Sequence, residues 1–404
     1  MAERPNAVIV SALRTPVGRY GGVLSDVRPD DLGAAVISSL VRSSHIDPSS
    51  IDDVIWGCAN QAGEDNRNVG RMSGLLGGLP FTVPGTTVNR LCGSSLDAVV
   101  QASRAIWAGD LETVIAGGAE SMSRAPYAVA KRQPAGTGNL TAYDTALGWR
   151  FPNPRMEELF PLESMGETAE NVAERYRITR EEQDLFAYES HMKAARAQRE
   201  GLFTSEIIPV EIRGRDKTTR LVTLDEGPRP DTSMEKLSAL RPVFRTGGTV
   251  TAGNSSPLND GASGVLIMHE ARARERGIPP LARIAASGVA GVDPRYMGIG
   301  PVPATRTALR KAGISIDDLG AIELNEAFAS QSIAVIRELG ARPAIVNAQG
   351  GAIALGHPLG CSGTRILTTL LNSMLRRRVQ WGLATMCIGV GQGIAVVVEN
   401  QSAL

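Results

Sequence analysis

Cysteine is scarce. The 404 residues hold only Cys58, Cys92, Cys361 and Cys387. No two of them form a CxxC pair, which argues against a disulfide framework in so long a chain and points to a reducing compartment. The four histidines, His45, His191, His269 and His357, fall at no metal-ligand spacing, so no metal site is expected. Net charge is also missing, because Lys+Arg and Asp+Glu are 42 each. That balance excludes nucleic acid or an anionic membrane as a general partner, while leaving room for a local basic patch facing a phosphorylated ligand. No apolar run approaches the length of a membrane span. The start, MAERPNAVIVSA, carries no signal or transit pattern, and the end, VENQSAL, is not a peroxisomal tripeptide. A cytoplasmic protein is the expectation.

Glycine is abundant. Its 44 copies cluster in stretches such as QGGAIALGHPLGCSG and GVGQG, the composition of tight turns beside ligands. Between them run short continuous apolar segments: Ala7–Ala12, Val54–Trp56, Val114–Ala116, Gly264–Met268, Ala282–Ala286, Ala321–Leu324, Leu383–Met386 and Ile394–Val398. Such runs suit strands buried on both faces. Helix-like stretches at Asp31–Arg42, Leu96–Ala108, Thr305–Ala312 and Gly363–Leu375 alternate with them, so the class is α/β.

The chain also repeats itself. SSIDDVIWG resembles SIDDLGAIELN and places Val54 opposite Ile322; Cys92 falls opposite Cys361, and Gly118 opposite Cys387, at a common offset of 268 or 269 residues. Two homologous halves are expected: residues 1–120 together with a strand-bearing piece at 248–269, and residues 270–404. Residues 121–247 have no counterpart and read as a loop-rich insertion with surface helices, in which TREE looks like a capping start.

Reactive side chains sit at glycine-rich joints. NRLCGSSLDA puts Cys92 just ahead of a helix, where unpaired N–H groups favour a thiolate. NEAFA places Asn325 after a strand, GHPLG carries His357, and MCIGVGQG carries Cys387. Singly, each has an ordinary structural reading: a buried thiol for either cysteine, a helix cap for Asn325, a turn residue for His357. Together, two cysteines, a histidine and an asparagine brought to a pseudo-twofold axis fit thiol chemistry with an oxyanion site.

NRLCGSSLDAV, GGAESMSRAP, TAGNSSPLNDGAS, NEAFA, GGAIALGHPLGCSGTR and CIGVGQG, in that order, resemble the thiolases (acetyl-CoA acyltransferases) over essentially the whole chain. The resemblance implies a five-layer αβαβα fold of two homologous halves with a loop-rich insertion serving CoA binding and oligomer contacts. It implies cleavage of a 3-ketoacyl-CoA by CoA through an acyl-cysteine, with no permanently bound cofactor, and a dimer or tetramer. Cys92 would be the nucleophile, His357 its proton acceptor and Cys387 the acid/base at the α-carbon of acetyl-CoA. Asn325 would hold a water that, with His357, forms one oxyanion site; the N–H groups of Cys92 and Gly389 would form the other. Ser256, Ala252, Met165, Phe244, Ala327 and Phe328 match CoA-lining positions, and Arg229 a contact to its nucleotide end. The sequence departs from the family at NAQGG, CGSS and CIGVGQG, and Ser164 replaces the helper histidine of short-chain members. The stretch ALGWRFPNP looks closer to members acting on 3-oxoadipyl-CoA or on degradative 3-ketoacyl-CoA substrates. Arg150 in it would meet a substrate carboxylate or a surface acid. The other readings are a condensing enzyme of the same superfamily, a non-catalytic acyl-CoA or lipid carrier, and a thiol redox protein.

Overall fold

The computed structural model describes residues 5–131, 140–213 and 218–401. Most of the loop-like RQPAGTGNLTAYD stretch, and with it part of the 121–150 region expected to make tetramer contacts, lies outside the described residues.

The first half contributes β1 (Ala7–Arg14), α1 (Pro29–Ser44), β2 (Asp53–Gly57), α2 (Val69–Leu76), β3 (Gly85–Val88), α3 (Ser94–Ala108), β4 (Thr113–Ser121) and β5 (Asn259–His269). Between β4 and β5 come α4 (Met165–Arg175) and α5 (Arg180–Arg199), with two small hairpins outside the large sheet. The second half contributes β6 (Ala282–Gly291), α6 (Pro301–Ala312), β7 (Leu319–Leu324), α7 (Ala329–Leu339), α8 (Ser362–Arg377), β8 (Trp381–Ile388) and β9 (Gln392–Glu399). The apolar runs and helical stretches read from the sequence all lie on these elements. The strand at β3 was not anticipated.

The two halves repeat one strand order. In the first it runs β1-β5-β4-β2-β3; in the second, β6-β9-β8-β7, with Val346 bridging Ile322 where a fifth strand would lie. β1 and β6 join the halves through only two registered pairs, Val8 with Arg283 and Ile9 with Ala282. Most strands of the large sheet bury both faces, β3 being the clear exception. Ala7 and Ile9 of β1 face one core, whereas Val8 and Val10 face another. On β9, Ile394, Val396 and Val398 face the shared core, and Ala395 and Val397 a third. This two-sided burial is why the strands read as unbroken apolar runs. The three cores separate five layers: α1 and α2, the first sheet, α3 with α8, the second sheet, and α6 with α7.

The central helices touch at their N-terminal ends. A Cβ on Gly363 would strike the backbone nitrogen of Leu96. Beside it, Ser95 Oγ accepts the N–H of Thr364 at 3.0 Å, across 269 residues. That separation is the repeat offset itself, so the pair marks the pseudo-twofold axis.

Candidate active site

Five residues of NRLCGSSLD, namely Asn89, Arg90, Leu91, Ser94 and Asp97, shape the turn that presents Cys92. Leu91 adopts a left-handed backbone (φ 47°), uncommon for a bulky residue. Three hydrogen bonds hold that turn: Leu91 N–H to Asn89 Oδ1 (2.9 Å), Arg90 N–H to Ser94 Oγ (2.9 Å) and Ser94 Oγ–H to Leu91 O (2.6 Å). Asn89 also donates to Ala59 O at 3.0 Å, and Arg90 is braced by Asp97 at 3.0 Å. The turn leaves Cys92 partly accessible, while the other three cysteines are buried; all four are free thiols.

The second half supplies the opposing wall. The hairpin joining β8 to β9 follows Cys387 and turns through Gly389, Val390 (φ 62°) and Gly391. The N–H groups of Gly389 and of Cys92 itself are directed at the Cys92 sulfur. Cys387 packs with Met165, Ala169, Val250, Met297, Ala327 and Phe328, and interacts electrostatically with Cys92. Phe244 stacks edge-on against Phe328 with ring centroids 6.3 Å apart, and covers Gly166 beside Met165. Ser256 donates its N–H to Ala327 O at 3.0 Å. Four expected CoA-lining residues, Met165, Phe244, Ala327 and Phe328, therefore meet around Cys387, and Ser256 joins them through its backbone.

His357 lies on a loop fastened to the first half. Its own N–H reaches Asn259 Oδ1 (2.9 Å), and that of Gly360 reaches Glu120 Oε2 (2.7 Å). The ring is buried, with Nδ1 2.6 Å from Ser362 Oγ. Ser362 donates its only hydroxyl proton to Pro358 O at 2.8 Å. It must therefore accept from Nδ1–H, and Nε2 is left with its lone pair. The amide nitrogen of Asn325 stands 3.4 Å from both ring nitrogens. Among the described residues Asn325 Oδ1 is buried without a protein partner, available to accept from a water. Asn325 is not a helix cap, because α7 begins four residues later at Ala329.

Burial sets the resting protonation. It pushes the Cys92 thiol up to about 11, against the two N–H groups that favour the thiolate. It pushes Cys387 up as well, with Cys92 adding to the shift. His357 is lowered to about 3, by burial first and by Arg365 second. The helix N-terminus, expected to favour a thiolate, is thus opposed by desolvation of the sulfur. The dipole is worth roughly 0.3–1 kcal/mol within the first turn, and Cys92 precedes even the cap of α3, Gly93. Two units of upward shift correspond to about 2.7 kcal/mol, so desolvation wins. Neutral thiol and neutral imidazole coexist at physiological pH.

Sequence reasoning placed Arg229 at the nucleotide end of CoA but missed the charged groups around it. An open cleft beside Ala252 is lined by Arg19, His191, Arg229 and Lys236. Burial, then Arg229 and Arg19, hold His191 down at about 4. Beneath the site, the guanidinium of Arg365 is buried without hydrogen-bond partners, 4.0 Å from Glu323 Oε2. Cys58, Asp65 and Glu120 place ligand atoms within 4.8 Å of one another. The carboxylate of Glu120, however, is committed to the N–H groups of Ala59, Asn60 and Gly360. None of these long-range pairings leaves a local pattern; only the isolated acid in GGAES and the arginine in CSGTR hint at them.

Buried acids and histidines give a stability profile with opposite slopes. Burial raises Glu120 to about 7 and Glu323 to about 8 from an ordinary 4.5. Their contribution is complete below 4.5 and is lost as pH rises through those values. His357 and His191 lie below their ordinary 6.5, so theirs is complete above 6.5 and is lost as pH falls toward 3–4. Unfolding free energy, and with it the melting temperature, is therefore expected to decline from pH 6.5, below which the histidines offset the acids, to about pH 8, by about 1.4 kcal/mol per pH unit for each acid still protonated in the folded state, Glu120 dropping out near 7 and Glu323 near 8. Calorimetric scans should show Glu323→Gln declining less; parallel curves would remove the acid from this account.

Residues 7–271 match the family described as "Thiolase, N-terminal domain", and residues 278–400 match "Thiolase, C-terminal domain". The chain belongs to the thiolase family. It is an acyltransferase of the class that cleaves 3-ketoacyl-CoA with CoA as the second substrate. This thiolase is 53% identical, over 98% of its length and 99% of the relative's, to the 3-oxoadipyl-CoA/3-oxo-5,6-dehydrosuberyl-CoA thiolase of Escherichia coli K12. It is 51% identical, over 98% and 99%, to a beta-ketoadipyl-CoA thiolase of Acinetobacter baylyi. Among solved structures, the Bacillus anthracis acetyl-CoA acetyltransferase superposes with a TM-score of 0.93 at 41% identity, covering 99% of this chain and all of that one. Human mitochondrial 3-ketoacyl-CoA thiolase gives 0.92 at 39%, with the same coverage. No helix among the described residues of the thiolase is long and apolar enough to cross a membrane.

Proposed function

We propose that this thiolase cleaves 3-oxoadipyl-CoA to acetyl-CoA and succinyl-CoA, with Cys92 as the acyl carrier. The observation that carries the mechanism is the directing of two backbone N–H groups at the Cys92 sulfur, opposite a second buried thiol. The substrate rests on the relatives named for 3-oxoadipyl-CoA and beta-ketoadipyl-CoA.

As Cys92 attacks the C3 ketone, its proton passes to Nε2 of His357, and the N–H groups of Cys92 and Gly389 stabilise the oxyanion that forms at C3. The C2–C3 bond breaks, and its electron pair becomes the enolate of acetyl-CoA. A water on Asn325, together with His357, stabilises the thioester oxygen of that enolate, and Cys387 delivers its S–H proton to C2. Acetyl-CoA leaves a succinyl-Cys92. Incoming CoA gives its thiol proton to the Cys387 thiolate and attacks the thioester. Cys92 departs as thiolate and recovers its proton from His357. Every group returns to its starting state.

Arg19 and Arg229 give the cleft beside Ala252 the charge to receive the phosphates of CoA, while Lys236 is paired with Asp231 at 2.9 Å. Ser256, Met165, Phe244, Ala327 and Phe328 flank its pantetheine arm. Residues 121–247 form the insertion that serves CoA binding and contacts in a homodimer or homotetramer, and the enzyme works in the cytoplasm. Ser164 stands where short-chain members keep a histidine; it caps α4 by accepting Glu167 N–H at 3.3 Å.

The test is turnover of 3-oxoadipyl-CoA and acetoacetyl-CoA, each with and without CoA, with peptide mass spectrometry of the trapped acyl-enzyme. CoA-dependent cleavage, faster on 3-oxoadipyl-CoA and with succinyl on Cys92, is expected. Faster acetoacetyl-CoA cleavage would replace the substrate, and an adduct elsewhere would replace the nucleophile.

A further inference from the structure

Arg150 is gripped on one edge only. Its Nη1 donates to Asn60 Oδ1 (2.6 Å) and Thr145 O (3.3 Å), and its Nη2 donates to Asn60 O (2.9 Å). All three acceptors are neutral. Among the described residues Arg150 forms no ion pair, so it does not meet a surface acid. By contrast Arg90, on the nucleophile turn, is already neutralised by Asp97. A guanidinium has five N–H donors, and these contacts use the end formed by Nη1 and Nη2. Nε–H and the remaining Nη2–H are left side by side, the fork that receives both oxygens of a carboxylate.

The surroundings connect Arg150 to both walls of the site. Asn60 follows Ala59, whose carbonyl takes the Asn89 amide of the nucleophile turn. On the other side, Trp149 Nε1 donates to Glu163 O at 3.2 Å, two residues before Met165 of the Cys387 cluster. Residues 149 and 150 thus tie the turn bearing Cys92 to the start of α4. Arg150 is half-buried rather than sealed. A half-buried cation held by neutral oxygens is stabilised further by an anion arriving with the substrate.

We propose that Arg150 is the specificity residue that receives the distal carboxylate of a dicarboxylic 3-ketoacyl-CoA. The proposal rests on the 3-oxoadipyl-CoA reading above and assigns that substrate's remote charge to one side chain. The neutral grip of Asn60 and Thr145 fixes the orientation without cancelling the charge, so the fork is ready before substrate binds.

The test separates charge recognition from turnover and from loop anchoring. Adipyl-CoA and hexanoyl-CoA have the same chain length, lack the 3-keto group and are not cleaved. Calorimetry on the wild-type enzyme should give tighter binding of adipyl-CoA by about 10- to 150-fold, the range for one charge-assisted pair. Arg150→Met should erase the difference and leave hexanoyl-CoA within about threefold; Arg150→Lys should restore part of it. In turnover, Arg150→Met should raise KM for 3-oxoadipyl-CoA far more than for 3-oxohexanoyl-CoA, with kcat on the latter preserved. Equal losses on both substrates would make Arg150 a loop anchor and overturn the proposal. A wild-type enzyme that binds both probes equally would overturn it directly, whichever substrate proves fastest. If adipyl-CoA binds tighter through Arg150 but 3-oxoadipyl-CoA is not cleaved, the substrate named above fails while the carboxylate subsite stands.

Discussion

Cys92→Ser is expected to cut thiolysis of any 3-ketoacyl-CoA by at least about 10³-fold, with CoA binding changed by less than about threefold. The size follows from the resting protonation. The wild-type thiol sits at about 11 and its acceptor His357 at about 3, so proton transfer is already uphill and succeeds only because sulfur is intrinsically nucleophilic. A serine hydroxyl is a much weaker acid and a poorer nucleophile, facing the same weakly basic imidazole. The N–H groups of Gly389 and Cys92 survive the change, so binding should too. Stopped-flow loss of the 3-ketoacyl absorbance, with isothermal titration of CoA, measures both. Turnover within tenfold of wild type would show that the acyl group travels on another residue.

Cys387→Ala should separate the two halves of the reaction. Cleavage of 3-ketoacyl-CoA needs a proton delivered to carbon, and Cys387, buried against Ala327 and Phe328, is the thiol placed to deliver it. Without it the enolate of acetyl-CoA has no acid, and overall thiolysis should fall by about 10³-fold or more; general acid–base groups typically account for 10²–10⁴. Exchange that starts from acetyl-CoA moves no proton to carbon, so the Cys387 thiolate never forms, and neutral His357 passes the one proton involved between Cys92 and CoA. Exchange of labelled CoA into acetyl-CoA should therefore stay within about tenfold. Equal loss of both activities would mean that Cys387 shapes the pocket for the nucleophile rather than acting on carbon.

The repeated strand order was legible because strands buried on both faces write themselves as apolar runs, and the matching blocks at one offset revealed the duplication. β3 escaped because its GTTV segment is only partly buried and carries no such run. The nucleophile turn could be located from NRLCGSS, but not the chemistry of its thiol: helix position is local and favours ionisation, whereas the burial that reverses it comes from residues some 300 positions away. The same distance hid the Arg365–Glu323 pair and the company that Arg229 keeps with Arg19, His191 and Lys236 in the cleft. Arg150 was visible as a charged residue in ALGWRFPNP, yet its choice between an acid and neutral oxygens depended on Asn60, 90 residues earlier in the chain.

The duplicated architecture carries a stoichiometric consequence at Gly118. This residue is the first-half counterpart of Cys387, and a Cβ there would strike the carbonyl of Gly360, on the loop that carries His357. The space one half gives up is the space the other half uses to bring in its imidazole. Equipping both halves with the second thiol would collide with the histidine loop, so the reaction centre can be built only once. A dimer of identical half-length chains, bound to treat both positions alike, could not make that choice. Fusing the copies into one polypeptide allows it, and commits each chain to a single acyl group at a time.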